Sequence, residues 1–187
     1  MITDKIMNNM ENTDGRNIVP KFWGWTLEQI KSNLDIYRHN FSVLFHNVQG
    51  DFNISTGIRN CNAFLAKEIF IYGKKQYNKS GTVGTHWYEN IKHVKITDNL
   101  DEIFKQFEKI VSIENVENSK SLEEYNWDYS KKTLMIFGEE EEGIDQSILN
   151  ISNDILFIRQ YGSVRSINVG VASGIAMFSY CKGIKSK

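Results

Sequence analysis

The chain has 187 residues, 22 basic and 23 acidic, with a formal net charge of −1 and 41% hydrophobic side chains. That length fits one domain with a sizeable buried core, no apolar run approaches the roughly 20 residues of a membrane-spanning helix, and the charge balance excludes a globally basic nucleic-acid binder while leaving room for a local basic face. Cys61 and Cys181 stand far apart outside any CxxC pattern, and His39, His46, His86 and His93 lack metal-ligand spacing, so a cytoplasmic protein with buried free thiols and no metal is expected.

The start, MITDKIMNNMENTDGRN, is polar, lacks the apolar stretch of a secretory signal, and is expected to be partly disordered. Phe22, Trp23 and Trp25 follow, placed either to stack on bases or to pack the next helix onto the domain. That helix, TLEQIKSNLDIY (26–37), sets Leu27, Ile30, Leu34 and Tyr37 on one face, with Thr26 and Gln29 as a capping box. FSVLFHNV (41–48) reads as a mostly buried strand, QGDFNISTGIRNCNAFLA as a polar turn and short helix, and EIFIYG (68–73) as a second strand. Such strand–helix–strand units build parallel sheets. The loop KKQYNKSGTVGT (74–85) is too long for a simple connection, which points to function or mobility.

KHVKIT (92–97) reads as a short strand, and DNLDEIFKQFEKI (98–110) as an amphipathic helix capped by Asp98 or Asn99. VSIEN (111–115), TLMIFG (133–138) and ILFI (155–158) are further strands, and a helix from about 167 to 182 closes the chain. The alternation predicts an α/β fold, a mostly parallel sheet with helices on both faces. With Pro20 the sole proline and no linker or internal repeat, residues 1–38 read as an N-terminal extension with one helix and 39–187 as the domain.

In open parallel sheets ligands bind beyond the carboxyl ends of the strands. Three polar segments follow strand ends, DFNISTGIRN, FGEEEEGI and RQYGSVRSIN, and all should converge on one sheet edge. None is a GxGxxG, GxxxxGK[ST] or GxSxG motif, which removes the common dinucleotide, P-loop and hydrolase readings. Glu139–Glu142 form either a solvated acidic turn or a tight loop, bracketed by Gly138 and Gly143, with one glutamate turned inward toward backbone amides or toward Arg59 or Arg165. Arg59 itself reads equally as an exposed helix arginine or as a functional cation.

In order and spacing, NISTGIRNCNAF, FGEEEEGI and YGSVRSINVGVASGIA resemble the three motifs of the SpoU/TrmH family of RNA 2′-O-ribose methyltransferases, in the SPOUT superfamily. The resemblance spans about residues 40–182 and implies a C-terminal trefoil knot, bound S-adenosylmethionine without a metal, and a homodimer built partly on the last helix. It implies that Gly170, Ala172, Ser173, Gly174 and Ala176 are small because neighbouring backbone passes close. It carries over Asn53, Arg59, Glu140, Ser166 and Asn168 as active-site residues, with Arg59 approaching the ribose, Ser166 and Asn168 orienting ribose or phosphate, and Glu140 holding loop geometry. Ile113, Gly138, Ile158, Ser166 and Ile167 match cofactor-binding positions.

RNA contact would fall to Lys74, Lys75, Lys79, Arg159 and Arg165, with Arg16 and Lys21 of the N-terminal segment. tRNA is the favoured substrate, with rRNA as the alternative, and a non-catalytic RNA-binding protein is the reading from another class. The chain departs from the family where Ile158-Arg159-Gln160 replaces the usual Ile-Pro-Met.

Overall fold

The computed structural model describes residues 14–47, 52–139 and 142–184; the expectation for the extreme N-terminus lies outside them. In chain order the elements are α1 (Leu27–Tyr37), β1 (Phe41–Asn47), α2 (Phe52–Ala63), β2 (Ile69–Gly73), β3 (Ile91–Val94), α3 (Asp101–Phe104), β4 (Lys109–Ile113), β5 (Lys120–Ser121), β6 (Thr133–Phe137), α4 (Gln146–Ile151), β7 (Asp154–Phe157) and α5 (Val169–Cys181), with short 3-10 turns between them. The seven strands form one sheet in the order β3-β2-β1-β6-β4-β7-β5, every pair parallel. The predicted parallel α/β architecture is therefore the observed one.

Strand alternation sends side chains to two cores. Phe41, Val43 and Phe45 of β1, with Met135 and Phe137 of β6, meet Ile58 of α2 and Met177 and Tyr180 of α5 on one face. Leu44, Leu134 and Ile136 face the other way, toward Phe104 of α3 and Leu149 of α4.

The stretch predicted as one helix over 98–110 is a single turn, α3, followed by a bend into β4. Ile103, Phe104, Phe107 and Ile110 are all buried in one cluster. Their spacing satisfies a helix, but it equally satisfies a turn that hands the chain to a strand. The amides of Glu108 and Lys109 decide the matter by donating to Lys132 O at 2.9 and 3.2 Å, which draws the chain into the sheet. The expected cap is also displaced: Leu100 occupies the cap position, Asn99 Oδ1 accepts from Asp101 N at 2.9 Å, and Asp98 Oδ2 instead closes the preceding turn on Lys95 N at 2.8 Å. β4 accordingly ends at Ile113, two residues earlier than the predicted end at 115.

At the N-terminus both halves of the Thr26–Gln29 capping box are formed. Ile30 is buried and Leu34 half-buried beside Phe22, Trp25 and Tyr88, so Phe22 and Trp25 pack the helix onto the domain. Leu27 and Tyr37, predicted on the buried face, are exposed, because α1 rests on a small satellite cluster rather than on a broad core. At the C-terminal end of α1, Arg38 donates to Glu89 Oε2 at 2.7 Å, Ala66 O at 2.7 Å and Tyr88 O at 2.8 Å. Its side chain is 3% exposed and that of Glu89 0%. Asn62 Nδ2 donates to the other oxygen of Glu89 at 2.7 Å.

Arg38 is thus the cation that balances a fully buried carboxylate. Arg38→Ala is expected to destabilise the protein by about 3–5 kcal/mol in denaturant unfolding, the usual cost of leaving one partner of a buried pair alone. A loss below about 1 kcal/mol, the range of exposed pairs, would show that water reaches Glu89.

Candidate functional site

Because all seven strands run parallel, their carboxyl ends share one edge, and three segments meet there. Asn168, the N-cap of α5, accepts from Gly170 N at 2.9 Å and Val171 N at 3.3 Å through Oδ1. Its Nδ2 donates to Asn53 Oδ1 in the first turn of α2, tying the first and third polar segments together. Below this tie α2 and α5 pack closely. A Cβ on Gly170 would lie 2.8 Å from Thr56 Cβ, and one on Gly174 would lie 3.2 Å from Asn60 Nδ2. Gly170 and Gly174 thus make room for side chains of α2, not for the passing backbone that was expected at them. Asn60 Nδ2 donates to Gly170 O at 2.6 Å and Ser173 Oγ at 3.0 Å, fixing the register of the two helices.

A cavity of about 650 Å³ opens beside α5, over the ends of the neighbouring strands β6 and β4. Ile113, Phe137, Ile167 and Val169 give it apolar walls, while Glu114, Glu139, Glu142, Arg165, Ser166 and Asn168 supply polar groups. The acidic run forms a tight loop. Glu139 and Gly143 exchange backbone hydrogen bonds at 3.2 Å, and Glu139 Oε1 accepts from Glu142 N at 2.7 Å. A Cβ on Gly138 would fall 2.3 Å from the Gly143 carbonyl carbon, so only glycine fits there. Glu139 therefore does the inward, amide-binding work predicted for a glutamate of this run, whereas Glu140 lies outside the described residues.

Glu114 was absent from the predicted site. Its Oε2 accepts from Ile144 N at 3.1 Å, and its Oε1 accepts from Asn115 N at 2.9 Å. Gly143, at φ +72°, leaves space for that carboxylate, since a Cβ there would sit 2.6 Å from Oε2. The signal in the sequence was a lone acid closing the apolar run VSI, hidden when the strand was drawn through it.

Among the sequence-derived cofactor positions, Ile113, Gly138, Ser166 and Ile167 line the cavity; Ile158 instead is half-buried against the core. Arg59 is exposed on α2, one turn beyond Ser55, and forms no ion pair among the described residues. The cationic positions divide into separate regions. Lys74, Lys75 and Lys79 follow β2 and are exposed, Arg165 is on the cavity wall, and Arg159 sits 3.5 Å from Glu123 with its guanidinium 5.9 Å from the Phe157 ring. Four strand steps, about 19 Å at the usual spacing, separate β2 from β7. In the departing segment Gln160 Oε1 is buried without a partner among the described residues.

Cys61 is buried and Cys181 half-buried, both as free thiols, and burial pushes both pKa values up, Cys181 to about 11. Among the described residues no cluster of metal-ligating side chains occurs, and no helix is long and apolar enough to cross a membrane.

Comparison with known proteins matches this geometry. The family model described as SpoU rRNA Methylase family matches residues 40–178. A tRNA (guanosine(18)-2′-O)-methyltransferase of Aquifex aeolicus is 30% identical over 159 residues, covering 81% of this chain and 74% of that protein. An Escherichia coli protein of the same name is 25% identical over 143 residues, covering 74% of this chain and 62% of its own length. Among solved structures, an A. aeolicus TrmH/SpoU tRNA modifying enzyme superposes with a TM-score of 0.72 at 27% identity, covering 83% of this chain and 81% of that one. An AdoMet-bound rRNA methyltransferase from Sinorhizobium meliloti shares the fold, with a TM-score of 0.69 at 20% identity over 82% of this chain and 61% of that one. With the family model spanning residues 40–178 and the α2–α5 mouth in place, the chain belongs to the SpoU rRNA methylase family.

Proposed function

We propose that the protein transfers a methyl group from S-adenosylmethionine to a ribose 2′-hydroxyl of tRNA. The observation that carries this reading is the cavity over β6 and β4, joined through the Asn53–Asn168 tie to the helix bearing Arg59. Its volume suits a cofactor of this size. Its chemistry fits as well: apolar walls for the adenine, backbone at Gly138 free of any side chain, and three carboxylates toward a ligand that carries a sulfonium and an ammonium. tRNA is favoured over rRNA because the A. aeolicus relative, 30% identical, bears a tRNA methyltransferase name.

When bound, S-adenosylmethionine supplies a methyl group already activated on a sulfonium. The protein's own residues hold and orient. Ile113, Gly138 and Ile167 form the cofactor bed, with Ile158 supporting it from the core. Asn53 and Asn168 position the mouth, Ser166 faces it for ribose or phosphate, and Glu140 belongs to the loop that Glu139 closes. Arg59 clamps phosphate and developing alkoxide with its planar fork; a guanidinium stays protonated, so an RNA phosphate or water takes the hydroxyl proton. Lys74, Lys75, Lys79, Arg159 and Arg165 are the cationic positions offered to RNA phosphates. On this reading residues 1–38 are an extension appended to a methyltransferase domain of 39–187, closed by a trefoil knot and working in the cytoplasm.

Val171, Ile175 and Phe178 expose a stripe along the outer side of α5, with Phe178 59% exposed. An apolar stripe at helical spacing fits a second copy of the chain as its cover, giving a homodimer.

Methyl transfer from labelled cofactor into tRNA and rRNA fractions, read by nucleoside mass spectrometry, tests the main reading. A 2′-O-methylnucleoside formed in tRNA is expected, with Arg59→Ala at least about 100-fold slower, in the range of a lost oxyanion donor, and with cofactor affinity unchanged. Near-full activity in Arg59→Lys would rule out the fork-shaped clamp. Glu114→Ala removes a charge-assisted bond to the loop and is expected to weaken cofactor binding about tenfold in calorimetry, with little change in melting; unchanged affinity would leave Glu114 a bystander. Phe178→Glu is expected to shift a dimer to a monomer in sedimentation, and a wild-type monomer at micromolar concentration would discard the dimer.

A further inference from the structure

The segment between β2 and β3 carries a basic and aromatic face that the cavity does not use. Residues 74–95 contain five lysines and one acid, Glu89, whose charge is buried against Arg38. Trp87 is 59% exposed, although its neighbour Tyr88 is the residue that packs on the N-terminal cluster. The Trp87 ring lies against His86 at 4.6 Å, and Tyr77 stacks on His93 at 6.4 Å with the planes 18° apart.

Burial first, and then the field of nearby ammonium groups, holds both imidazoles below their usual pKa. Lys79 acts on His86 and His93, and Lys75 on His93, and Lys75, Lys79 and Trp87 are all exposed on this one segment.

This surface is built rather than loose. Asn78 Oδ1 accepts from Ser80 N at 3.0 Å, Thr82 Oγ1 donates to Lys79 O at 2.7 Å, and Thr85 Oγ1 donates to Thr82 O at 2.8 Å. Ser55 Oγ of α2 donates to Asn78 O, docking the segment on α2. Arg59 is exposed one turn beyond Ser55 on the same helix.

We infer that this face is a second contact for the RNA substrate, where Trp87 stacks on an unpaired base of a loop whose ribose is presented over Arg59, while Lys75 and Lys79 hold the flanking phosphates. The inference rests on the methyltransferase reading and adds the residues that grip the RNA away from the reacting atoms. Exposed rings interleaved with lysines match single-stranded loops, whose splayed bases offer stacking faces and whose backbone offers charge.

The test is binding of an unmodified tRNA transcript to the full chain at several salt concentrations, for Trp87→Ala, Trp87→Phe and the double variant Lys75→Gln with Lys79→Gln. Trp87→Ala is expected to weaken binding about tenfold, Trp87→Phe to retain most of it, and the double variant to reduce the salt slope by about two. Melting temperature and cofactor affinity should stay unchanged in all three, and for the Trp87 variants the loss should appear in KM. Variants that bind tRNA like wild type, while wild type still methylates it, overturn this inference alone. A wild-type protein that binds cofactor but no RNA overturns the methyltransferase reading and this face with it. Equal losses in Trp87→Ala and Trp87→Phe together with lowered melting would assign Trp87 to packing and also overturn the inference.

Discussion

The close approach of α2 and α5 is the constraint on which the site depends. Thr56 occupies the space that a side chain at position 170 would need, and Asn60 reads both Gly170 O and Ser173 Oγ. A larger residue at 170 would push the helices apart, and interiors packed at crystal-like density do not absorb such a shift silently. The polar bonds add direction to the packing. They fix which turn of α5 faces which turn of α2, and so they set Asn168 beside Asn53 at the top. The tie at the mouth is a consequence of the contact below it.

Sheet order explains why that mouth opens on a cavity. β6 inserts between β1 and β4, and β7 between β4 and β5, so segments distant in sequence end side by side. The loop after β6 is shaped from two directions: from within, by the Glu139–Gly143 exchange, and from β4, by the Glu114 carboxylate on the Ile144 amide. A carboxylate bound to a backbone amide is a strong anchor for its length. It places a negative charge on the cavity wall at the same time as it holds the loop.

The sequence announced every strand but the two-residue β5, together with the parallel sheet and the convergence of three polar segments, because continuous apolar runs and turn residues are local signals. It misread what depends on distant partners. The run from 98 to 110 has spacing compatible with a helix, and only the carbonyl of Lys132 turns it into a bend and a strand. That shift hid Glu114, which reads as an ordinary strand-end residue until β6 and its loop come alongside. The small residues of α5 were legible as a sign of close packing, but what packs there, the side chains of Thr56 and Asn60, is a tertiary fact. The capping box of α1 was readable because it is closed within four residues, whereas the exposure of Leu27 and Tyr37 reflects how little the domain offers that helix to bury against.

A net charge of −1 fits an RNA substrate once the charges are located. Carboxylates of Glu114, Glu139 and Glu142 gather at the cavity, where a cationic cofactor is the proposed guest, while Lys75 and Lys79 are exposed on the segment after β2. Screening at physiological salt reduces interactions between exposed charges over about 8 Å, so two fields of opposite sign can act on two ligands without cancelling. Arg59 stands exposed on α2, the helix whose Asn53 is tied to the cavity mouth and whose Ser55 holds the basic segment. On the proposed function, a cation on that helix meets the phosphate of an RNA whose ribose leans toward the carboxylate-lined cavity.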